Sequence, residues 1–337
     1  MAKYKYDNYR DYLAGARFIE RMADWLQQFK QSDRQAAYDY IRNHLVFISL
    51  AEIRHLVDRF YPEIIEKTLI NEVSTQLGVP NYLIWTHPRA REELRSAMRR
   101  TLFLGLSDGA RMDTFRRLNE GRVSNEQVLI ATQMSDPKWT DVLNKLREDE
   151  KNPEARFCRA FLVDDFVGSG KTLLRWKEND QVWDGKLWKF WNESARFFGS
   201  HFEPNWSLHV HHYLAGYDGA SRVRETNKRA SESLRGEWFP SIAFTFGLIL
   251  PESLPIDEKR DSAFWSITDR YYDPAIETKA TAVGGEHVRR GFGGCGLPLV
   301  LEHNTPNNSI SLIWAETVGK GGKHAMRPLF RRAQRHW

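Results

Sequence analysis

The chain carries only two cysteines, Cys158 and Cys295, among 337 residues. They form no C-x-x-C pair, and no His/Cys cluster has metal-ligand spacing. A disulfide framework is therefore excluded, and a reduced, cytosolic compartment is the simple reading. Long apolar runs are missing too. The longest, near Ile242 to Leu250, is far too short to span a bilayer. The first residues, Met1-Ala2-Lys3-Tyr4-Lys5-Tyr6-Asp7, are polar and lack the apolar stretch of a signal peptide. No internal repeat or low-complexity tract stands out. Neither sign of charge dominates, since 49 Lys+Arg against 44 Asp+Glu leave a net charge of +5. That mild excess is compatible with phosphorylated ligands or nucleic acid and proves neither.

What is present is the composition of a globular protein. Apolar residues make up 41% and charged residues 28%, which excludes wholesale disorder. The length suffices for a sizeable core, in one large or two modest domains. Trp is abundant at 12, so aromatic packing is heavy and part of it is available to an interface.

One segment stands apart: Phe161-Leu162-Val163-Asp164-Asp165-Phe166-Val167-Gly168-Ser169-Gly170-Lys171-Thr172-Leu173. Its apolar run reads as a buried strand whose carboxyl end carries paired acids, the place where open α/β sheets hold ligands. Gly168-Ser169-Gly170 lets backbone N–H groups approach a phosphate without interference from Cβ atoms. Lys171 and Thr172 are expected to open a helix whose N-terminal dipole favours an anion. Acids and a phosphate cradle in one turn suggest a sugar phosphate. A Walker A loop would need its first glycine at position 165, where Asp165 stands, so that pattern is broken.

The segment instead resembles the PRPP-binding loop of type I phosphoribosyltransferases: four apolar residues, two acids, a short linker, then T-G-x-T. Ala160 to Val163 supply the apolar run, Asp164-Asp165 the acids, and Ser169-Gly170-Lys171-Thr172 the loop, with Ser for the first Thr. Lys at the third loop position also occurs in some purine enzymes of that family. One departure matters. Those enzymes often place before the loop an Asp that assists at the purine, and here that residue is Gly168. Ordinary purine salvage is therefore in doubt.

Along the chain, the first ninety or so residues read as helical. Tyr12, Ala16, Ile19, Ala23, Leu26 and Phe29 recur at helical spacing. Ser32-Asp33-Arg34-Gln35 and Ser49-Leu50-Ala51-Glu52 fit capping boxes, Pro62 falls in a linker or at a helix start, and Gly78-Val79-Pro80 closes this part. Strands are expected at Leu102–Leu106, Val128–Ala131, Phe161–Val163, Trp206–Leu214 and Ile242–Ile249, with helices at Asp141–Glu150 and Leu187–Phe198. Strands separated by helices argue for a parallel, doubly wound sheet. The expected division is a helical region at 1–95, an α/β domain at 96–318 and a basic tail at 319–337.

Other candidates have both a functional and a plain reading. Ser107-Asp108-Gly109-Ala110-Arg111 follows the first strand and is either a pyrophosphate loop or a capped turn with a surface arginine. His209, His211 and His212 lie on one strand, with His209 and His211 on one face and His212 on the other, and no third ligand at familiar spacing is visible. Hydrogen-bonded strand histidines fit better than a metal site. Arg289-Arg290 with Gly291 to Gly296 form either a closing loop or a surface turn. Asn304, Asn307 and Asn308 either read a base edge or stabilise turns. Arg331, Arg332 and Arg335 in the tail are either solvated or contact nucleic-acid phosphates.

Most of the chain also resembles phosphoribosyltransferase-like proteins of bacterial conflict systems, including accessory proteins of retron anti-phage operons. The residues carrying this are Leu102-Phe103-Leu104-Gly105-Leu106-Ser107-Asp108-Gly109-Ala110-Arg111, Ser124-Asn125-Glu126-Gln127-Val128, the PRPP-like loop, and His303-Asn304-Thr305-Pro306-Asn307-Asn308 leading to Leu312-Ile313-Trp314. The resemblance implies a parallel Rossmann-like phosphoribosyltransferase sheet with helices on both faces, after an α-helical N-terminal region. It implies transfer at the ribose anomeric carbon. Asp164 and Asp165 would hold ribose hydroxyls, directly or through Mg²⁺ and water. Gly168, Ser169, Gly170, Lys171 and Thr172 would hold the 5-phosphate, and Ser107, Asp108, Gly109, Ala110 and Arg111 the pyrophosphate. It further implies an effector or toxin restrained by operon partners, a reverse transcriptase with its msDNA or another defence protein, in the cytoplasm. The alternative is a catalytically inactive fold that senses a nucleotide or grips a partner. Oligomeric state stays open.

Overall fold

The computed structural model describes residues 18–278, 281, 283–285, 287–320 and 324–332. Tyr12 and Ala16 of the first helical pattern, and Arg335 of the tail, lie outside the described residues. The helices are α1 (Phe18–Gln27), α2 (Gln31–His44), α3 (Leu50–Phe60), α4 (Glu66–Leu77), α5 (Pro88–Arg99), α6 (Met112–Leu118), α7 (Asp136–Glu150), α8 (Lys186–His201), α9 (Tyr217–Leu234), α10 (Ser262–Arg270) and α11 (Ser311–Trp314). The strands are β1 (Val46–Ile48), β2 (Thr101–Gly105), β3 (Val128–Ile130), β4 (Phe157–Val167), β5 (Arg175–Lys177), β6 (Val182–Asp184), β7 (Phe202–Ala215), β8 (Ile242–Ile249) and β9 (Leu299–Leu301). The described residues form two compact units, one from those within 18–53, 216–218 and 250–332, the other from Arg54–Ala215 and Gly219–Ile249. None of the described helices is long and apolar enough to cross a membrane.

The second unit holds a five-stranded sheet in the order β3-β2-β4-β7-β8, parallel throughout. Side chains alternate across a strand, and the register turns that alternation into two layers. Leu102, Leu104, Ala160, Leu162, Leu208 and Val210 share one face and pack with Trp139, Val142 and Leu146 of α7 and Phe190 and Phe198 of α8. Phe103, Phe161 and His209 are register neighbours on the other face. Their rings follow one another at 5.6 and 4.7 Å, and Phe60 of α3 and Phe115 of α6 cover them. Helices therefore flank both faces, the arrangement expected of a phosphoribosyltransferase-like sheet.

The first unit joins the N-terminal helices to the C-terminal segments. β1 pairs in parallel with β9. Trp25 of α1 is buried and donates its Nε1–H to Leu312 O at 2.6 Å, and Tyr40 of α2 stacks on Phe264 of α10 at 4.1 Å.

Two helix-start expectations separate. Ser49 and Glu52 make the reciprocal bonds of a capping box, Ser49 N–H donating to Glu52 Oε2 at 2.7 Å and Glu52 N–H to Ser49 Oγ at 3.1 Å. Ser32 caps nothing, because α2 begins earlier, at Gln31. Its neighbour Asp33 instead accepts from Arg270 and Tyr271. Pro62 does not break the helix; it stands at the start of a π-helical turn, close to the helix-start position expected for it. Residues Tyr61–Ile65 form a π-helical turn that links α3 to α4, and Glu66 N–H donates to Tyr61 O. A π turn is one way for a helix to absorb a proline, which has no N–H to donate.

Candidate functional site

β2 and β4 are neighbours in parallel register, with Gly105 opposite Val163, so the chain leaves both at the same end of the sheet, β2 after Gly105 and β4 after Val167. Leu106 N–H still donates to Val163 O at 2.8 Å. Ser107 to Arg111 then turn tightly, with a 3₁₀ turn at Asp108–Ala110 and Ala110 N–H donating to Ser107 O at 3.0 Å. Gly109 is required by closeness: a Cβ there would stand 2.4 Å from Asp165 Oδ2. Arg111 has φ of 53°, a left-handed conformation uncommon outside glycine, and its Nε is buried with no hydrogen-bond partner. Backbone outliers of this kind concentrate at functional sites.

Both acids lie within β4, near its carboxyl end, and alternation separates them. Asp164 lies on the Leu162 face, its side chain 4% exposed. It accepts from Ser107 Oγ and pairs with Lys186 Nζ at the start of α8. Burial pushes its carboxyl up, and Lys186 acts against that while the nearby Asp165 adds to it. Asp165, half-buried, faces Gly109 and accepts Phe166 N–H at 2.8 Å. The structure thus brings Ser107, Gly109, Asp164, Asp165 and Lys186 together. Sequence reasoning missed Lys186. Its pairing across 22 residues of sequence leaves no local signal beyond a cation next to a glycine, Gly185.

The glycine loop differs from expectation. No helix opens at Lys171. The chain makes one turn, with Leu173 and Leu174 N–H both donating to Gly170 O at 3.0 and 3.2 Å, and then runs into the β5–β6 hairpin. Leu173 and Leu174 are buried in the core of the sheet unit, which draws the chain inward where a helix would carry it on. The next helix is α8, and its first amides are occupied, Lys186 N–H by Thr172 O at 3.0 Å and Leu187 N–H by Leu173 O at 2.9 Å. A free helix dipole is therefore not part of this loop. Gly168, Ser169 and Gly170 are buried, Lys171 is half-buried and Thr172 exposed.

The buried part rests on α9. A Cβ on Gly219 would come 2.2 Å from Gly168 O, and one on Gly170 (φ 76°) would come 2.9 Å from Val223 Cγ1. Gly219→Ala should gain about 1 kcal/mol in helix propensity. The overlap with backbone outweighs that gain, since overpacking costs about 1–3 kcal/mol or more. We expect a net loss of stability in urea unfolding, and a variant more stable than the parent would refute this packing.

The three histidines are core groups. His211 Nδ1 is 2.9 Å from Thr245 Oγ1, and its ring stacks on Phe60 at 4.1 Å. His209 stacks on Phe161, and His212 lies beside Phe246 on the opposite face. Burial lowers all three, His209 to about 4 and His212 to about 3. No group of three or more His, Cys, Asp or Glu able to hold a metal occurs among the described residues.

The other candidates belong to the first unit. Arg289 and Arg290 both bond Asp269, and Arg290 lies 3.5 Å over the Trp265 ring. Asn308 Nδ2 donates to Phe292 O at 2.9 Å, and Asn304 N–H donates to Leu301 O at 3.0 Å, so both secure turns. Arg331 pairs with Glu316, and Arg332 lies over Trp314.

A family model described as PRTase-CE matches residues 22–332. No curated protein and no solved structure matches the chain.

Proposed function

Because the chain belongs to the PRTase-CE family, a phosphoribosyltransferase-like group, we propose that it binds PRPP or a ribose-phosphate nucleotide at the β2–β4 end and acts at the ribose anomeric carbon. The match supports a phosphoribosyltransferase-type function in general terms. The observation that carries the specific reading is the convergence of the Ser107–Arg111 turn with Asp164, Asp165 and Lys186. In this reading the acids orient ribose hydroxyls, the turn amides and Arg111 take the pyrophosphate, and Gly168 to Thr172 take the 5-phosphate. Such transfer rests on positioning and electrostatics, so no nucleophile is required.

Magnesium fits Asp165 better than Asp164, which already carries Lys186 and Ser107. Two carboxylates are few protein ligands, and Mg²⁺ commonly binds one or two carboxylates plus phosphate oxygens. Asp165 would hold it together with the ligand, where it would neutralise charge on the pyrophosphate. The cellular role we propose is that of a cytoplasmic effector of an anti-phage, retron-like system, restrained by partners such as a reverse transcriptase with its msDNA.

A second reading also has an observation in its favour. Asp164 is held by Lys186, and the glycine loop is buried, which suits a fold that senses a nucleotide without turning it over. Melting experiments with PRPP, nucleoside monophosphates, NAD and ATP, each with Mg²⁺, combined with mass-spectrometric product analysis, separate the readings. We expect PRPP or a monophosphate to raise Tm by a few degrees, since ligand at 100 times Kd adds about 2.7 kcal/mol. Asp164→Asn with Asp165→Asn should abolish that shift and leave a cooperative melt. Binding without product supports the sensor, and stabilisation by ATP alone overturns both. For the cellular role, toxicity should appear on expression alone, vanish with the neighbouring operon and require both acids. Harmless expression in every context ends that proposal.

A further inference from the structure

A cavity of about 880 Å³ opens in the sheet unit, away from the acids. Met98 and Arg99, just before β2, and Ser124, Asn125 and Gln127, just before β3, line it. It therefore lies at the amino ends of these parallel strands, whereas Ser107, Asp164 and Asp165 lie at or near carboxyl ends. Five-residue β2 alone separates the two places by roughly 16 Å. The segment Ser124 to Gln127, distinctive in the sequence, has no part in the acidic site.

The walls are basic. Arg91 and Arg95 stand one turn apart on α5, both exposed, and among the described residues neither guanidinium has a hydrogen bond or ion pair. Arg99 pairs with Asp149 yet leaves Nη2 buried with no hydrogen-bond partner. Arg122 lies across the cavity, its guanidinium 5.2 Å over the Tyr61 ring. Against these four cations the lining has two acids, Glu66 and Glu120. Trp85, 51% exposed, adds a large aromatic surface to the rim. The opposite wall is braced. Gln127 Nε2 donates to Met98 O and Thr101 O, its Oε1 accepts Ser124 N–H at 3.0 Å, and Arg122 and Val123 N–H both donate to Asn119 O.

We propose that this cavity is a second ligand site, for a phosphate-bearing nucleobase compound of mononucleotide size. Arginines recognise phosphate through a planar fork of donors. An exposed indole stacks on a base, which is worth about 1–3 kcal/mol for base–aromatic pairs. Glu66 and Glu120 are placed to accept from ribose hydroxyls or an exocyclic amine. The volume lies within the about 300–1,000 Å³ typical of small-molecule sites. The proposal does not rest on the reading of the acidic site.

Calorimetry with AMP tests it, using the full chain with Asp164→Asn and Asp165→Asn so that the acidic site is silenced. AMP should still bind. Ribose 5-phosphate, which lacks the base, and adenosine, which lacks the phosphate, should each bind at least tenfold more weakly. Adding Arg91→Glu with Arg95→Glu should weaken AMP at least tenfold, and Trp85→Ala at least fivefold, with unchanged melting. If the arginine pair proves necessary for folding, Arg122→Ala replaces it and should weaken AMP to a similar degree. No AMP binding to the acid-silenced chain, AMP binding indifferent to these cavity substitutions, or equal affinity for ribose 5-phosphate would each overturn the proposal.

Discussion

Acidification from pH 7 to pH 5 should destabilise this protein by several kcal/mol, well before most of its carboxylates titrate. His209, His211 and His212 are buried and held neutral, His209 with its pKa lowered to about 4 and His212 to about 3. Released by unfolding, each returns to about 6.5. Between those values the unfolded chain binds protons that the folded chain refuses, so stability falls as pH falls. At pH 5 each histidine contributes a loss of about 2 kcal/mol, and three together approach about 6 kcal/mol. Burial also lowers His201 and His324, which adds in the same direction. Asp164 opposes them, because its raised carboxyl favours the folded state as pH drops. Asp33, Asp184 and Asp261 are lowered, so their contribution is lost only below about pH 4, outside this window. Urea unfolding between pH 7.5 and 4.5 should show a slope approaching three protons near pH 5, and His212→Gln should reduce it by one. A stability that stays flat from pH 7 to pH 5 would show that these histidines charge freely in the folded state.

The same histidines show how far the sequence is legible. Period-two alternation placed His209 and His211 on one face and His212 on the other, and the sheet keeps that arrangement. The strands at Leu102, Val128, Phe161, Trp206 and Ile242 were legible for the same reason: buried parallel strands are short, apolar and separated by helices. The path of the chain beyond Gly170 was not legible. Gly-Lys-Thr before two leucines suits a helix start as well as a tight turn. The outcome depended on whether Leu173 and Leu174 found the core, which is a tertiary matter. The two compact units were hidden for a related reason, since the described residues of 18–53 and 250–332 meet through contacts distant in sequence, such as Trp25 with Leu312, 287 positions apart. At the site, local reading picked out Ser107, Gly109, Asp164 and Asp165. Lys186 escaped it because an ion pair between a strand end and a distant helix start has no spacing rule.

Lys186 is also where a single substitution should have the most asymmetric effect. Asp164 has a side chain only 4% exposed, whereas that of Lys186 is 38% exposed. Lys186→Met leaves a buried carboxylate with the Ser107 hydroxyl still donating to it. Removing one member of a fully buried pair costs about 3–5 kcal/mol, because the charge left behind stays desolvated, and the solvent that reaches Lys186 brings the expected cost to the low end of that range. Part of that cost is avoidable, since Asp164 can take up a proton once the ammonium that held its pKa down is gone. The penalty should therefore be largest near pH 8 and shrink toward pH 5, opposite in direction to the histidine effect. Asp164→Asn should cost only about 1 kcal/mol, because the freed ammonium turns to water and the amide keeps a bond to Ser107. In the double variant most of the Lys186→Met penalty should disappear, leaving a stability close to that of Asp164→Asn. Urea unfolding of the four proteins at pH 8 and pH 6 measures the cycle. Equal costs for the two single variants, or additivity in the double, would mean that Lys186 does not neutralise Asp164 and that the acid is held by something else.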